Sequence, residues 1–149
     1  MNYDDMILEN STAIWNMPLT QGEVLGSYSG AFVFKCYLNP MEQISANKLY
    51  RGLIGPHSSF VSETDGLLAF SLCQLKYRIV KAPPFWFSSL SEDGMPGNIP
   101  DLNIIQLIFE HAFDAERMFR EKMATERETV LKKTIQTAED LIQQEGKEE

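Results

Sequence analysis
At 149 residues the chain is long enough to bury one hydrophobic core, and its 44 % apolar content is ordinary for a globular domain. A formal net charge of −8, with no cluster of Lys or Arg, disfavours a partner held through its phosphates, so no nucleic acid is expected. No apolar run approaches the ~20 residues of a membrane span, and the acidic start MNYDDMILEN lacks the basic stretch of a secretory signal, so no membrane is expected and the chain should stay in the cytosol where it is made. Cys36 and Cys73 each sit in an apolar pattern and read as buried free thiols of a reducing compartment.

Residues 1–20 have no clear period. Ile14, Trp15, Met17 and Leu19 form a small apolar patch there. The segment reads as an N-terminal arm, packed on the body or ordered on a partner, with packing on the body favoured.

From Gly22 to Leu38 the period becomes two. Phe32, Phe34, Cys36 and Leu38 point one way; Val33, Lys35 and Tyr37 point the other. Val24 to Tyr28 precedes a Ser29-Gly30 turn, which predicts a β-hairpin. A lone hairpin is marginal in water, so its apolar face must be covered by helices or its edge completed by another chain. Gly22, Gly26 and Gly30 match no phosphate loop.

Asn39-Pro40 opens a helix, because Asn caps well and Pro suits the first helical position. Met41, Ile44, Leu49 and Leu53 give its expected apolar stripe, and Gly52 and Gly55-Pro56 end it. The loop GPHSSF that follows carries His57, Ser58 and Ser59, with no nucleophile elbow around the serines. The only other histidine, His111, lies inside a helical pattern, on the shoulder of a packed face. The two do not make a metal site.

Residues 63–81 predict the central helix. Ser62 can cap it, and Leu67, Leu68, Leu72, Leu75 and Ile79 form a stripe widened by Phe70 and Cys73. Lys76, Arg78 and Lys81 suit the negative end of the helix dipole. Pro83 and Pro84 stop the helix, and Phe85, Trp86 and Phe87 follow directly. These rings either lock the helix against its neighbours or contribute a docking surface. The loop of residues 88–100 has acidic and glycine residues but lacks the ligand spacing of a calcium loop.

Asp101 is placed to cap the last and longest helix. Leu102, Ile105, Ile108, Phe109, Ala112, Phe113, Ala115 and Phe119 keep one side apolar through its first half. Beyond it, pairs such as Glu116 with Arg120 and Glu128 with Lys132 lace the surface with charge. A helix continuous to Gln144 would be ~60 Å long at 1.5 Å per residue. Val130, Leu131, Ile135 and Leu141 keep an apolar thread in this stretch. Lys122 and Glu126 interrupt a sustained heptad seam, and the tail GKEE should fray. The segment either orders on another chain or is a solvated helix.

The expected fold class is α+β, mainly α: an N-terminal β-hairpin followed by three main helices, the last one long. The expected organisation is an arm over 1–20, a globular domain over 21–119 and a charged helical extension over 120–149. No catalytic residue, cofactor or metal site is expected. Partner binding is assigned to Phe85, Trp86 and Phe87, and to Val130, Leu131 and Ile135.

The order GAFVFKCYLNP, then LYRGLIG, then RIVKAPPFWF, then PDLNIIQLIFEHAFDAERMFREKM resembles the small tail assembly chaperones of tailed bacteriophages. The likeness covers about Gly22 to Phe119. It implies a non-enzymatic phage tail assembly protein that binds a helical tape-measure or tail-subunit client in the host cytoplasm. The alternative is a structural virion component, such as a connector, neck or baseplate subunit, forming homo-oligomer contacts through the hairpin and long helix. A third reading is a small enzyme or inhibitor using the GPHSSF loop.

Overall fold
A computed structural model describes residues 6–55, 62–88 and 95–147. His57, Ser58 and Ser59, the acidic part of the 88–100 loop and the two last residues lie outside the described residues. The chain divides into two compact units, Met1–Arg117 and Met118–Glu149. The class is α+β and mainly α, as the periodicities predict.

The first unit is built on a four-stranded antiparallel sheet in chain order: β1 (Met6–Glu9), β2 (Thr12–Gln21), β3 (Ser27–Lys35) and β4 (Ile79–Lys81). The sheet is larger than the expected hairpin. The segment 1–20, expected as an arm, instead supplies β1 and nearly all of β2. The alternation was there to read, because Ala13, Trp15 and Met17 all point inward. Outward apolar residues at Ile14 and Leu19 masked it. Pro18 lies where the β2–β3 register slips between Met17 and Thr20, a position where its missing N–H breaks no ladder bond.

The hairpin turn is also displaced. It lies at Gly22–Gly26, closed by the Gly22 amide on the Gly26 carbonyl at 2.8 Å. Ser29 and Gly30 continue β3 instead of turning. Gly30 is glycine for another reason: its φ is 138°, and a Cβ there would stand 2.4 Å from Cγ of Pro83.

Helix α1 (Pro40–Ile54) begins as expected, with a reciprocal capping box between Asn39 and Glu42. Glu42 also pairs with Lys35 of β3. The expected stripe is not the buried one. Ala46 is the buried residue of α1, while Met41 and Ile44 lie exposed. α1 meets α2, where Tyr50 packs edge-on against Phe70, with ring centroids 5.9 Å apart.

Helix α2 (Glu63–Arg78) is capped by Ser62, whose hydroxyl accepts the Asp65 amide. It buries Ser71, Cys73, Gln74, Leu75 and Arg78. This face is rotated from the expected one: Leu67 is 62 % exposed. The helix ends at Arg78, not at residue 81. Ile79 and Lys81 pair with Phe34 and Val33, so the β-branched pair Ile79-Val80 extends the sheet.

Helix α3 (Pro84–Ser88) is short, and α4 (Leu102–Lys147) is long. The first part of α4 buries Ile104, Ile105, Ile108, His111, Ala112 and Ala115. His111 is fully packed, stacked on Trp15 with centroids 3.8 Å apart, its Nδ1 donating to the Leu107 carbonyl at 2.9 Å. Trp15, Phe32 and Phe34 stack on the inner sheet face, and Phe85 and Trp86 meet Phe32 edge-on. This aromatic block is the centre of the core.

Candidate interaction surface
Among the described residues, Cys73, His111, Arg78 and Asp101 each have a place in the packing. Cys73 is buried, and burial pushes its thiol up to about 11, with Lys76 only partly opposing the rise. A thiol so protonated is a packing group, not a nucleophile. His111 is buried, stacked on Trp15 and bonded to the Leu107 carbonyl. Among the described residues no three His, Cys, Asp or Glu side chains gather as metal ligands.

Arg78 is a buried cation with built partners. Its Nε donates to Gln74 at 3.1 Å, its Nη2 reaches Glu116 at 3.4 Å, and its guanidinium lies 4.6 Å over the Phe113 ring. It ties α2 to the first part of α4. The sequence reading gave it only a dipole role.

Asp101 has a similar structural task. Its backbone carbonyl starts α4 by accepting the Ile104 amide at 3.1 Å. Its side chain turns away from that helix and accepts the amides of Val24 at 2.7 Å and Leu25 at 3.2 Å and the Tyr28 hydroxyl at 3.1 Å. Burial pushes this carboxyl up, but the three amides of Glu23, Val24 and Leu25 and the hydroxyl outweigh it, and the net effect is downward.

The six residues assigned to partner binding fall into two groups. Trp86 is 1 % exposed and is core: a Cβ on Gly97 would lie 2.5–2.9 Å from its ring, so chain and ring are in close contact. Phe85 is half-buried against Tyr28 and Phe32. Only Phe87, 47 % exposed, keeps much of its ring at the surface. The aromatic run therefore mainly locks the core.

Val130, Leu131 and Ile135 are different. They lie in the second unit, where every residue from 124 to 146 is exposed. Leu141 and Ile142 share their side of the helix, and the five are 50–69 % exposed. At 100° per residue they fall with Ala138 in one sector, while Lys133, Gln136, Asp140 and Gln143 fall opposite. Ile142 was missed in the sequence reading, although its spacing from Leu131, Ile135 and Ala138 could have found it.

The first unit also carries an apolar groove of about 240 Å³ between α2 and α4, lined by Leu67, Leu68, Leu102, Ile105 and Phe109. It is below the size of ordinary small-molecule sites, and fits a side chain or two of a partner better than a cofactor.

No family model, curated protein or solved structure matches this chain. Among the described residues no helix is long and apolar enough to cross a membrane.

Proposed function
We propose that this chain is a non-enzymatic assembly protein of the phage-tail type, which binds a helical client through the distal half of α4. One observation carries the reading: an amphipathic helical segment presents Val130, Leu131, Ile135, Leu141 and Ile142, all exposed. Such a face is the ordinary means of helix-to-helix recognition, read as anchors at i, i+4 and i+7. The negative net charge keeps the uncovered face in solution between encounters. The client class, a tape-measure or tail-subunit helix, comes from the resemblance of the 22–119 region to tail assembly chaperones. The test is co-purification of the full chain and of a chain truncated after Met123 with a helical tape-measure protein. The full chain should retain it and the truncated chain should not. Equal retention would remove the distal segment from the function.

A second reading, a structural virion subunit, is favoured by the short edge strand β1, whose outward Ile7 is 62 % exposed and whose free side could accept a neighbouring strand. Mass spectrometry of purified virions separates the two. A chaperone is missing from mature particles, and a subunit is present in fixed copy number.

A further inference from the structure
We infer that the distal half of α4 pairs with the same segment of a second copy of this chain, in antiparallel orientation. The inference rests on the reading of this face as a contact surface and names its first occupant. Leu131, Ile135, Ala138 and Ile142 recur at spacings of four, three and four, which is the seam of a two-heptad coiled coil. Glu128 and Glu145 take the next seam positions at either end, so the apolar seam closes after four layers.

The flanking charges complement a second copy in one direction. Lys132 and Glu139 flank one side of the seam, and no ion pair holds either among the described residues. When two copies run antiparallel about a centre between Ile135 and Ala138, Leu131 of one meets Ile142 of the other, and Ile135 meets Ala138. The same register sets Lys132 beside Glu139 of the second copy, and the two-fold axis repeats that contact. In a parallel pair Arg127 would instead flank Lys132 of the second copy, two like charges. A bulky residue thus faces Ala138 in two layers and opposite charges meet twice along the flank. Glu128 meets Glu145 of the second copy in the layer at either end, a like-charge contact that a parallel pair would also bring at those layers and that limits the apolar seam to four layers. Self-pairing covers the apolar face until a client helix replaces the second copy.

The test uses the full chain in sedimentation velocity at low salt. The parent should be a concentration-dependent dimer. Lys132→Glu and Glu139→Lys each place like charges across the seam and should weaken association roughly tenfold, since two exposed pairs are lost and reversed. The double variant should restore it. All these positions are exposed, so folding is unaffected. Orientation is read by disulfide trapping: Leu131→Cys mixed with Ile142→Cys should cross-link, while neither does so alone. Strengthening by Lys132→Glu, or cross-linking of Leu131→Cys to itself, would overturn the antiparallel pair. A full chain that stays monomeric at all concentrations would overturn self-pairing altogether. That result would leave client binding standing if truncation after Met123 still abolished it.

Discussion

The carboxylate of Asp101 accepts the hydroxyl proton of Tyr28 at 3.1 Å, joining the start of α4 to the first residues of β3 across 73 positions of sequence. The same carboxylate holds the amides of the β2–β3 turn, so one side chain fixes the hairpin and the entry of the long helix together. The sign of its pH dependence follows. The carboxyl is held below its unfolded value near 3.9, so its contribution is present above that pH and is lost as pH falls through the folded value. Tyr28 is shifted up, by burial first and then by Asp101, so its contribution is present below its unfolded value near 10 and is lost as pH rises through the folded one. Asp101→Ala should lower the melting temperature at pH 7 and remove part of the acid-induced loss expected of the parent. An unchanged acid limb in thermal melts at several pH values would show that Asp101 does not set it.

Truncations along α2 should rank by the buried face of the structure. Leu75 is fully buried, and Leu75→Ala should cost about 2–5 kcal/mol. Leu72 is half-buried and should cost less. Leu67 is largely exposed, and Leu67→Ala should stay within about 0.5 kcal/mol. Urea denaturation of the three variants gives the order. A Leu67 variant as unstable as the Leu75 variant would mean that the helix is turned by about a quarter of its circumference.

Gly30 and Gly26 give a paired test of close approach against backbone strain. Both have positive φ, 138° and 72°. At Gly26 nothing lies within 4 Å of a new Cβ, whereas at Gly30 the Pro83 ring lies at 2.4 Å. Gly26→Ala should cost on the order of 1 kcal/mol from conformation alone. Gly30→Ala adds a clash that must displace Pro83, and with it the Phe85 and Trp86 rings, and should cost on the order of 1–3 kcal/mol more. Equal melting temperatures would show that the Pro83 contact does not matter.

Both cysteines should be silent in the native protein. Cys36 and Cys73 are fully buried, and the Cys73 thiol lies near 11. At pH 8 only about one Cys73 in a thousand is thiolate even before access is considered. A thiol reagent should therefore titrate neither in the folded state and both in denaturant. Fast labelling of Cys73 under native conditions would place it outside the core.

What the sequence made legible was local. The Asn39 cap, the alternation of Phe32, Phe34 and Cys36 and the burial of Ile105, Ile108, Ala112 and Ala115 on α4 rest on neighbours a few residues apart and appear as expected, whereas Leu102, expected on the same side of α4, is exposed. What it hid depends on pairing at a distance. Ile79-Val80-Lys81 read as the end of a helix because the sequence does not show β3 waiting beside it. Ser29-Gly30 read as a turn because the need for glycine there comes from Pro83, 53 positions on. Arg78 shows only a helix-dipole role in the sequence because Gln74, Phe113 and Glu116 converge on it only after folding. In the candidate surface the exposed thread of Val130, Leu131 and Ile135 was readable from spacing alone. The burial of Trp86 was not, since a run of three aromatics is equally a core plug and a docking patch until its neighbours are placed.

The distal half of α4 should reveal its partner through its own helicity. From 124 to 146 every residue is exposed, so the second unit has little burial of its own to hold that stretch helical. Helices without packing are marginal in water, because each residue gained scarcely outweighs the entropy lost. The pairs four apart contribute only about 0.2–0.5 kcal/mol each. Covering the face with Leu131, Ile135 and Ile142 against a second helix adds burial that the single chain lacks. Helix content should therefore rise with protein concentration, with client, or with both, and the increment should vanish on truncation after Met123. Far-ultraviolet circular dichroism over a dilution series measures it. The first unit, compact through Arg117, should keep its melting temperature after that truncation. A helical signal independent of concentration and of client would mean that the segment is a solvated helix in its own right, and that its apolar side covers nothing.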